Sequence, residues 1–432
     1  MNQYCLKSLG AEIARGEEEL VNRVWDMPIA KEDIWDLSRE VKYIKVTEQF
    51  RDVVKTFATP GGETPAGFER TYSLTERGVL SIDLKRNISY DKNGLLRPTN
   101  VLYSADSANP YEVAPISGLI ANLTCNPGIV YDLFLNRPEA NIGNRFKNRE
   151  EVMIELAKIL GPGCDVSVEL NNPFEEDFEK ILEEAAVFRD IFSKHRIVIK
   201  VPHTGAVSGR NVQQLLEGDK RLNRRYDEVC TADAFLGHNL ALKLHEHGYR
   251  VNFTLMFEPF QTQLALQARP YFINTFLRHR YVQSQNIKNY LDAYEQGNKE
   301  ALEQLRDYLE ANDYYKKADL GIDLQKVYRF GKDLIAYRQF ENPQGSDGLD
   351  GMRHNLRTLR NCNMEDTRLI VCSMEGPYNY PDIDKLLAEP EFQDMHHKVV
   401  ITTEPNYLAR FTSTNQVTSY QRRFMNAAKG QE

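Results

Sequence analysis

Residues 196–201 read RIVIKV, an apolar run that a single lysine, Lys200, interrupts. Seven similar β-rich runs occur between residues 101 and 402, at 101–105, 119–123, 165–170, 250–256, 269–274, 368–373 and 398–402. Most of them are continuously apolar, which is typical of parallel strands covered on both faces. Helical patterns fill the gaps, among them 148–160, 174–195 and 231–247. Eight such units predict an α/β fold of the TIM (β/α)8 barrel type. An open doubly wound sheet is the alternative, but no glycine-rich phosphate loop follows the first strand.

Two segments lie outside this repeating pattern and enlarge the predicted barrel. Residues 1–100 are expected to form an N-terminal α+β extension, with helices near 11–24 and 31–42 and a strand near 79–84. The barrel is expected over 101–411, with a helical insertion at 281–366 after strand six and a C-terminal helix or tail at 412–432. The insertion leaves the barrel at its catalytic end, which makes it a candidate for shaping substrate choice.

The composition narrows the classes of function. The 432 residues are 41% hydrophobic and 27% charged, as in a globular protein with a sizeable core. The net charge of −8 disfavours nucleic acid and anionic membranes as partners. Six widely spaced cysteines, no signal-peptide pattern and no membrane-length apolar stretch predict a cytoplasmic protein with reduced thiols. We expect a small-molecule substrate, and a homo-oligomer stays open.

The predicted strand ends carry polar side chains at the place where barrel enzymes hold their catalytic groups. They are Asp106, Asn126, Glu169, Lys200, Asn252 and Thr254. Burial is expected to lower the pKa of Lys200 and to produce a neutral amine that can form a Schiff base with a carbonyl. A purely structural ion pair with Glu169 or Asp106 is the alternative. Those carboxylates are also candidates for proton transfer, and Asn126 before Pro127 is also typical of a turn.

Several of these residues lie in motifs that resemble the transaldolase family of Schiff-base enzymes. Residues 124–127 (TCNP) resemble the family's T-T/S-N-P, residues 199–202 (IKVP) its I-K-I-P, and residues 251–257 (VNFTLMF) its N-x-T-L-x-F. Asp106 and Glu169 stand where the family has its strand-one aspartate and strand-three glutamate. On these motifs the chain is identified as a divergent member, with a resemblance over about 101–411 that breaks at the insertion.

The resemblance implies a transferase of carbohydrate metabolism, similar to the pentose phosphate pathway enzyme, that moves a dihydroxyacetone unit from a ketose to an aldehyde. Lys200 would form the Schiff base, and Asp106 would take the proton released as the carbon–carbon bond breaks. Glu169 and Thr254 would hold the catalytic water. The implied ligands of the dihydroxyacetone unit are Asn126 and Asn252. Because the protonated imine is the electron sink, the resemblance implies neither a metal nor a cofactor.

The sequence departs from the family where the family binds a phosphate group. The strand-six motif S-P-F-V-G-R is NTFLRH at residues 274–279, and the strand-seven motif A-S-F-R is CSME at residues 372–375. His279 and Glu375 therefore replace two arginines, and a carboxylate repels a phosphate dianion. We expect a substrate other than a standard sugar phosphate, or a phosphate held by insertion arginines such as Arg353 or Arg357. The expected substrate-binding residues of this region are Asn274, Phe276, Arg278, His279, Arg280 and Ser373.

Three functions remain open at this point. The first is transfer of the dihydroxyacetone unit, which Phe276 favours because aldolase-like relatives tend to have a tyrosine there. A class I aldolase that cleaves or condenses sugar fragments is the second. A catalytically silent, sugar-binding barrel is the third, and the lost phosphate arginines favour it. The joint presence of Asp106, Asn126, Glu169, Lys200 and Thr254 favours an enzyme.

Overall fold

A small mixed sheet precedes the barrel in this computed structural model, which describes residues 4–57, 62–203, 205–372 and 378–430. Its strands are β1 (Glu12–Ile13), β2 (Tyr43–Val46), β3 (Phe68–Leu74) and β4 (Val79–Arg86), in the order β1-β2-β4-β3. Its helices are α1 (Glu18–Asn22), α2 (Ile34–Glu40) and α3 (Glu48–Thr56). The strand expected near 79–84 is present, whereas the helices expected near 11–24 and 31–42 are shorter, and residues 12–13 pair with β2.

Eight parallel strands then close into a barrel in chain order. They are β5 (Leu102–Asp106), β6 (Asn122–Cys125), β7 (Asp165–Glu169), β8 (Arg196–Pro202), β9 (Arg250–Thr254), β10 (Phe272–Phe276), β11 (Arg368–Cys372) and β12 (Val399–Thr403). The predicted TIM (β/α)8 barrel is confirmed. The sixth strand begins later than expected, because Arg269 adopts a left-handed conformation (φ 51°) and completes a turn onto the carbonyl of Leu266.

Thirteen α-helices of the described chain follow the first barrel strand. They are α4 (Pro110–Val113), α5 (Arg149–Ile159), α6 (Phe178–Ile191), α7 (Thr231–Ala234), α8 (Leu236–Glu246), α9 (Gln261–Leu266), α10 (His279–Glu295), α11 (Ala301–Ala311), α12 (Leu324–Tyr337), α13 (Asp350–Arg360), α14 (Asn379–Leu387), α15 (Pro405–Ala409) and α16 (Asn415–Ala428). In the described ranges, none is both long enough and apolar enough to span a bilayer.

The helices after β10 divide between two hydrophobic cores. Ile287 of α10, Leu305 of α11 and Val327 of α12 belong to a core of their own. Met352 and Leu356 of α13 belong to the main core between the barrel and its helices. We therefore propose that the inserted unit comprises α10–α12 and that α13 is the sixth barrel helix.

Apolar side chains and a buried polar cluster share the end of the barrel at which the strands begin, where Arg196 donates to the hydroxyl of Tyr271, which donates to Asp165. Ile88, which follows the N-terminal sheet, is 1% exposed and shares a cluster with Leu102, Phe272 and Val400 from barrel strands. The chemistry-bearing side chains lie at the opposite end, where the strands finish, as in other barrels of this type.

Candidate active site

The barrel register brings three predicted site residues side by side. Glu169 on β7 pairs with Lys200 on β8, and Lys200 pairs with Asn252 on β9. Because successive side chains of a strand point to opposite faces, paired residues share a face, and Thr254 lies on the face of Asn252. Val198, two residues before Lys200, clusters with Leu102 and Val400 of other barrel strands, whereas Ile199 and Val201 pack in the core shared with the surrounding helices, so the face of Lys200 is turned into the barrel.

Lys200 and Glu169 form a nearly buried ion pair. Lys200 is 5% exposed, and its Nζ lies 3.3 Å from Oε2 of Glu169. The expectation that the pKa of Lys200 would be lowered is wrong. Burial is the largest influence and does lower it, but Glu169 and Asp106 together reverse the direction, and the pKa lies above the usual value. The amine is therefore protonated at rest, and Glu169 is the adjacent group that can accept its proton.

Asp106 ends β5 and lies within the electrostatic reach of that pair. Its Oδ1 is buried and has no hydrogen-bond partner among the described residues. Burial is the largest influence on its carboxyl, Lys200 opposes it, Glu404 and Glu169 add to it, and the pKa rises to about 6. A carboxyl with this pKa exchanges its proton near neutral pH, as a general acid or base requires.

Buried amides of β9 and β10 complete the inner wall. Asn252 is fully buried, and within the described ranges neither Oδ1 nor Nδ2 of its amide has a hydrogen-bond partner. Asn274 is 3% exposed, and its Oδ1 is likewise unpartnered in that part of the chain. Leaving such a group unpaired costs about 1–3 kcal/mol. These amides are therefore suited to bind hydroxyl groups of a ligand.

Three other predicted site residues, Asn126, Thr254 and Phe276, differ in how their side chains are engaged. Oδ1 of Asn126 accepts a hydrogen bond from the backbone N–H of Ile129 at 2.9 Å, so the turn role is real and only part of the amide is left for a ligand. Thr254 is 2% exposed at the end of β9. Phe276 stacks on Phe257, with ring centroids 4.3 Å apart, and forms an aromatic wall.

Sequence reasoning missed three polar residues on the same face of other strands. Thr124 of β6 and Thr402 of β12 each have a buried hydroxyl without a partner among the described residues. Glu404 follows β12 and influences Asp106. Each is an even number of residues from an inward-facing neighbour, so the alternation of the strands was the signal that could have found them.

Comparison with known families gives one result that decides the family. A model described as transaldolase/fructose-6-phosphate aldolase matches residues 103–328, which is just over half of the chain and extends from β5 into α12. The chain belongs to the transaldolase/fructose-6-phosphate aldolase family. This is an enzyme family of the class I aldolase type. No curated protein matches the sequence at a significant level.

The arginines nearest the family's phosphate motif in this transaldolase-family protein are bound to carboxylates. Arg278 pairs with Asp382 at 2.5 Å, and Arg280 pairs with Asp350 and with Glu258. His279 lies with its ring 4.9 Å from that of Phe257, and its Nε2 is 3.3 Å from Nε2 of Gln283. Ser373 and Glu375 lie outside the described residues.

The two arginines of α13 that were expected as alternative phosphate ligands are also bound to carboxylates. Arg353 contacts Asp347 at 2.8 Å and Glu389 at 3.0 Å. Arg357 contacts Glu391 at 2.6 Å. A phosphate group would have to compete with these carboxylates for each guanidinium.

The raised pKa of Asp106 predicts a gain of stability when its charge is removed. Its pKa is about 6 in the folded protein against an ordinary value of 3.8, so ionisation favours the unfolded state as pH rises through this window. Asp106→Asn should therefore raise the free energy of unfolding by roughly 1–3 kcal/mol at pH 7 and leave it unchanged near pH 3. Urea titrations at both pH values measure this. An equal gain at both would contradict the account.

Proposed function

We propose that this protein is a transaldolase-like enzyme in which Lys200 forms a Schiff base with a ketose. It would transfer a dihydroxyacetone unit to an aldehyde acceptor. The observation that carries the proposal is the nearly buried contact of 3.3 Å between Lys200 and Glu169, inside a barrel that also holds Asp106. A merely structural ion pair would not need the third titratable group or the unpaired amides beside it.

Glu169 performs the proton transfers of imine formation. It accepts the proton of the Lys200 ammonium, and the free amine attacks the ketose carbonyl carbon to give a carbinolamine. Glu169 then returns a proton to the carbinolamine hydroxyl, which leaves as water. Thr254, at the end of the neighbouring strand β9, would hold the water that relays these protons. The product is a protonated imine on Lys200.

Asp106 performs the proton transfer of bond cleavage. It removes the proton from the hydroxyl on the far side of the breaking carbon–carbon bond, and that oxygen becomes the aldehyde carbonyl. The electron pair of the broken bond moves into the protonated imine and leaves an enamine on Lys200. The reverse steps with a second aldehyde complete the transfer. No external cofactor is needed, because the imine accepts the electrons.

The amides of Asn252 and Asn274 would hydrogen-bond the hydroxyls of the dihydroxyacetone unit. Both are buried and have unused hydrogen-bonding atoms in the described chain, so substrate hydroxyls would satisfy them. Asn126 contributes the part of its amide that its turn leaves free. These roles are proposals that rest on position and on the family.

The aromatic wall formed by Phe276 and Phe257 favours transfer over simple cleavage of the ketose. Protonation of the enamine would release dihydroxyacetone, and a phenol near the site would help that step. Phe276 and Phe257 offer aromatic faces without a hydroxyl. The enamine would therefore persist until an acceptor aldehyde binds. We keep the class I aldolase as the second candidate.

A ketose labelled with 13C at its first carbon tests the reaction class. Incubation with an acceptor aldehyde should move the label into a new ketose, with little labelled dihydroxyacetone, as followed by NMR. Labelled dihydroxyacetone as the main product would instead support the aldolase. No turnover with a panel of ketoses would favour the silent sugar-binding barrel.

We further propose that the ketose carries no phosphate group. The support is that Arg278, Arg280, Arg353 and Arg357 are each bound to at least one carboxylate. Values of kcat/KM for fructose and fructose 6-phosphate should agree within about tenfold, because these four guanidinium groups are already bound to carboxylates. Steady-state kinetics measure this. Saturable activity on the phosphorylated ketose alone would overturn it.

A cytoplasmic location, a place in carbohydrate metabolism of the pentose phosphate type and contacts between copies of the chain also remain proposals. The first rests on the cysteine pattern. The second rests on the family.

A further inference from the structure

Glu404 lies directly beside Asp106 at the end of the barrel. Thr403 of β12 pairs with Ala105 of β5, so the next positions along these parallel strands, Glu404 and Asp106, are neighbours on one face. Both line a cavity of about 320 Å³ that opens between the ends of β5, β6 and β12. Asn126 lines it as well. The half of the ketose beyond Asp106 would enter this cavity.

The carboxylate of Glu404 is not used by the fold. Glu404 precedes the first residue of α15, yet its side chain makes no capping hydrogen bond there. Over the described ranges no ion pair engages it. Glu404 is an exposed residue at the wall of the cavity that it shares with Asp106.

We propose that Glu404, next to Asp106 on the wall of one cavity, is a positioning residue for the transfer reaction that keeps Asp106 able to return a proton to the acceptor. The proposal rests on the function proposed for Asp106. During cleavage the hydroxyl proton of the donor moves to Asp106. During condensation the enamine carbon bonds to the acceptor aldehyde carbon, and the aldehyde oxygen takes that proton back. A group that both accepts and donates a proton works best when its pKa lies near the working pH.

The charged groups around Asp106 agree with this role. Lys200 on β8 favours the ionised form of Asp106, and Glu169 on β7 opposes it. The thiols of Cys125 on β6 and Cys372 on β11 are neutral at pH 7, because burial raises the pKa of each to about 12. Glu404 and Glu169 are thus the two carboxylates that oppose the effect of Lys200 on Asp106.

Two further charged groups line the same cavity, Glu112 and Arg137. The carboxylate of Glu112 accepts a hydrogen bond from Ser107 at 3.3 Å. Neither group is among the main influences on Asp106. Glu112 therefore offers a matched control: an acidic residue of the same type in the same cavity.

Titration of Asp106 in substrate-free protein tests the proposal. Protein labelled with 13C at aspartate carboxyls would be followed by NMR, with the Asp106 signal assigned by its loss in Asp106→Asn. Glu404→Gln should lower the pKa of Asp106 by about half a unit. Glu404→Asp should restore most of the shift, and Glu112→Gln should leave it unchanged. In active protein, the pKa on the acidic side of the plot of kcat against pH should shift by the same amount as the pKa of Asp106.

An unchanged titration in Glu404→Gln, or an equal shift in Glu112→Gln, would overturn the role of Glu404. Because this measurement needs no turnover, its outcome is separate from that of the proposed function. An absent Lys200 adduct would overturn the function and leave the titration as measured.

Discussion

Replacing Lys200 with methionine is expected to lower kcat/KM by on the order of 10⁴-fold or more, because the amine that bonds to substrate is lost. Methionine keeps the length and apolar stem of the side chain within the buried central part of β8, residues 198–201. Glu169 would lose its cation, and its pKa, already raised by burial, would rise further. The variant should therefore hold a neutral Glu169 and stay folded, as circular dichroism would check.

Lys398→Met is the matched control for this variant. Lys398 is also nearly buried, at 9% exposure, but it lies where β12 begins and donates to the backbone carbonyls of Met364 and Glu365. Its loss should cost stability and leave kcat within about threefold. Residual activity in Lys200→Met above about one percent of wild type would contradict a covalent role for Lys200.

Asp106→Asn is expected to lower kcat by roughly 10²–10⁴-fold, the range of a lost general base. Imine formation depends on Lys200 and Glu169 and should survive. Borohydride should therefore trap the intact ketose on the variant, whereas wild type should also yield the three-carbon adduct, from the fraction of enamine that has taken up a proton at carbon and become an imine. Mass spectrometry of the reduced protein distinguishes the two masses. Cleavage at the wild-type rate, or no adduct of either mass, would show that Asp106 does something else.

The barrel strands and the placement of Lys200 near a carboxylate could be predicted because their signals are local. A continuous apolar run with one lysine has few uses other than a barrel strand with a reactive or paired amine, and RIVIKV became β8 with Lys200 in contact with Glu169. The position of Asp106 at the end of β5 followed from the same reasoning.

What sequence reasoning missed depends on neighbours distant in the chain. The pKa of Lys200 rises because carboxylates on β7 and β5 face it, and no local pattern reveals that balance. Glu404 was missed because its importance arises from the pairing of β12 with β5. The carboxylates that bind Arg278 and Arg280 come partly from other elements, Asp350 of α13 and Asp382 of α14.

Trapping of the imine on Lys200 tests the central claim most directly. The protein would be incubated with a ketose, reduced with borohydride, digested and sequenced by mass spectrometry. We predict a three-carbon adduct on Lys200, absent from Lys200→Met and retained in Lys398→Met. An adduct on another lysine, or none with any ketose that the protein binds, would contradict the account.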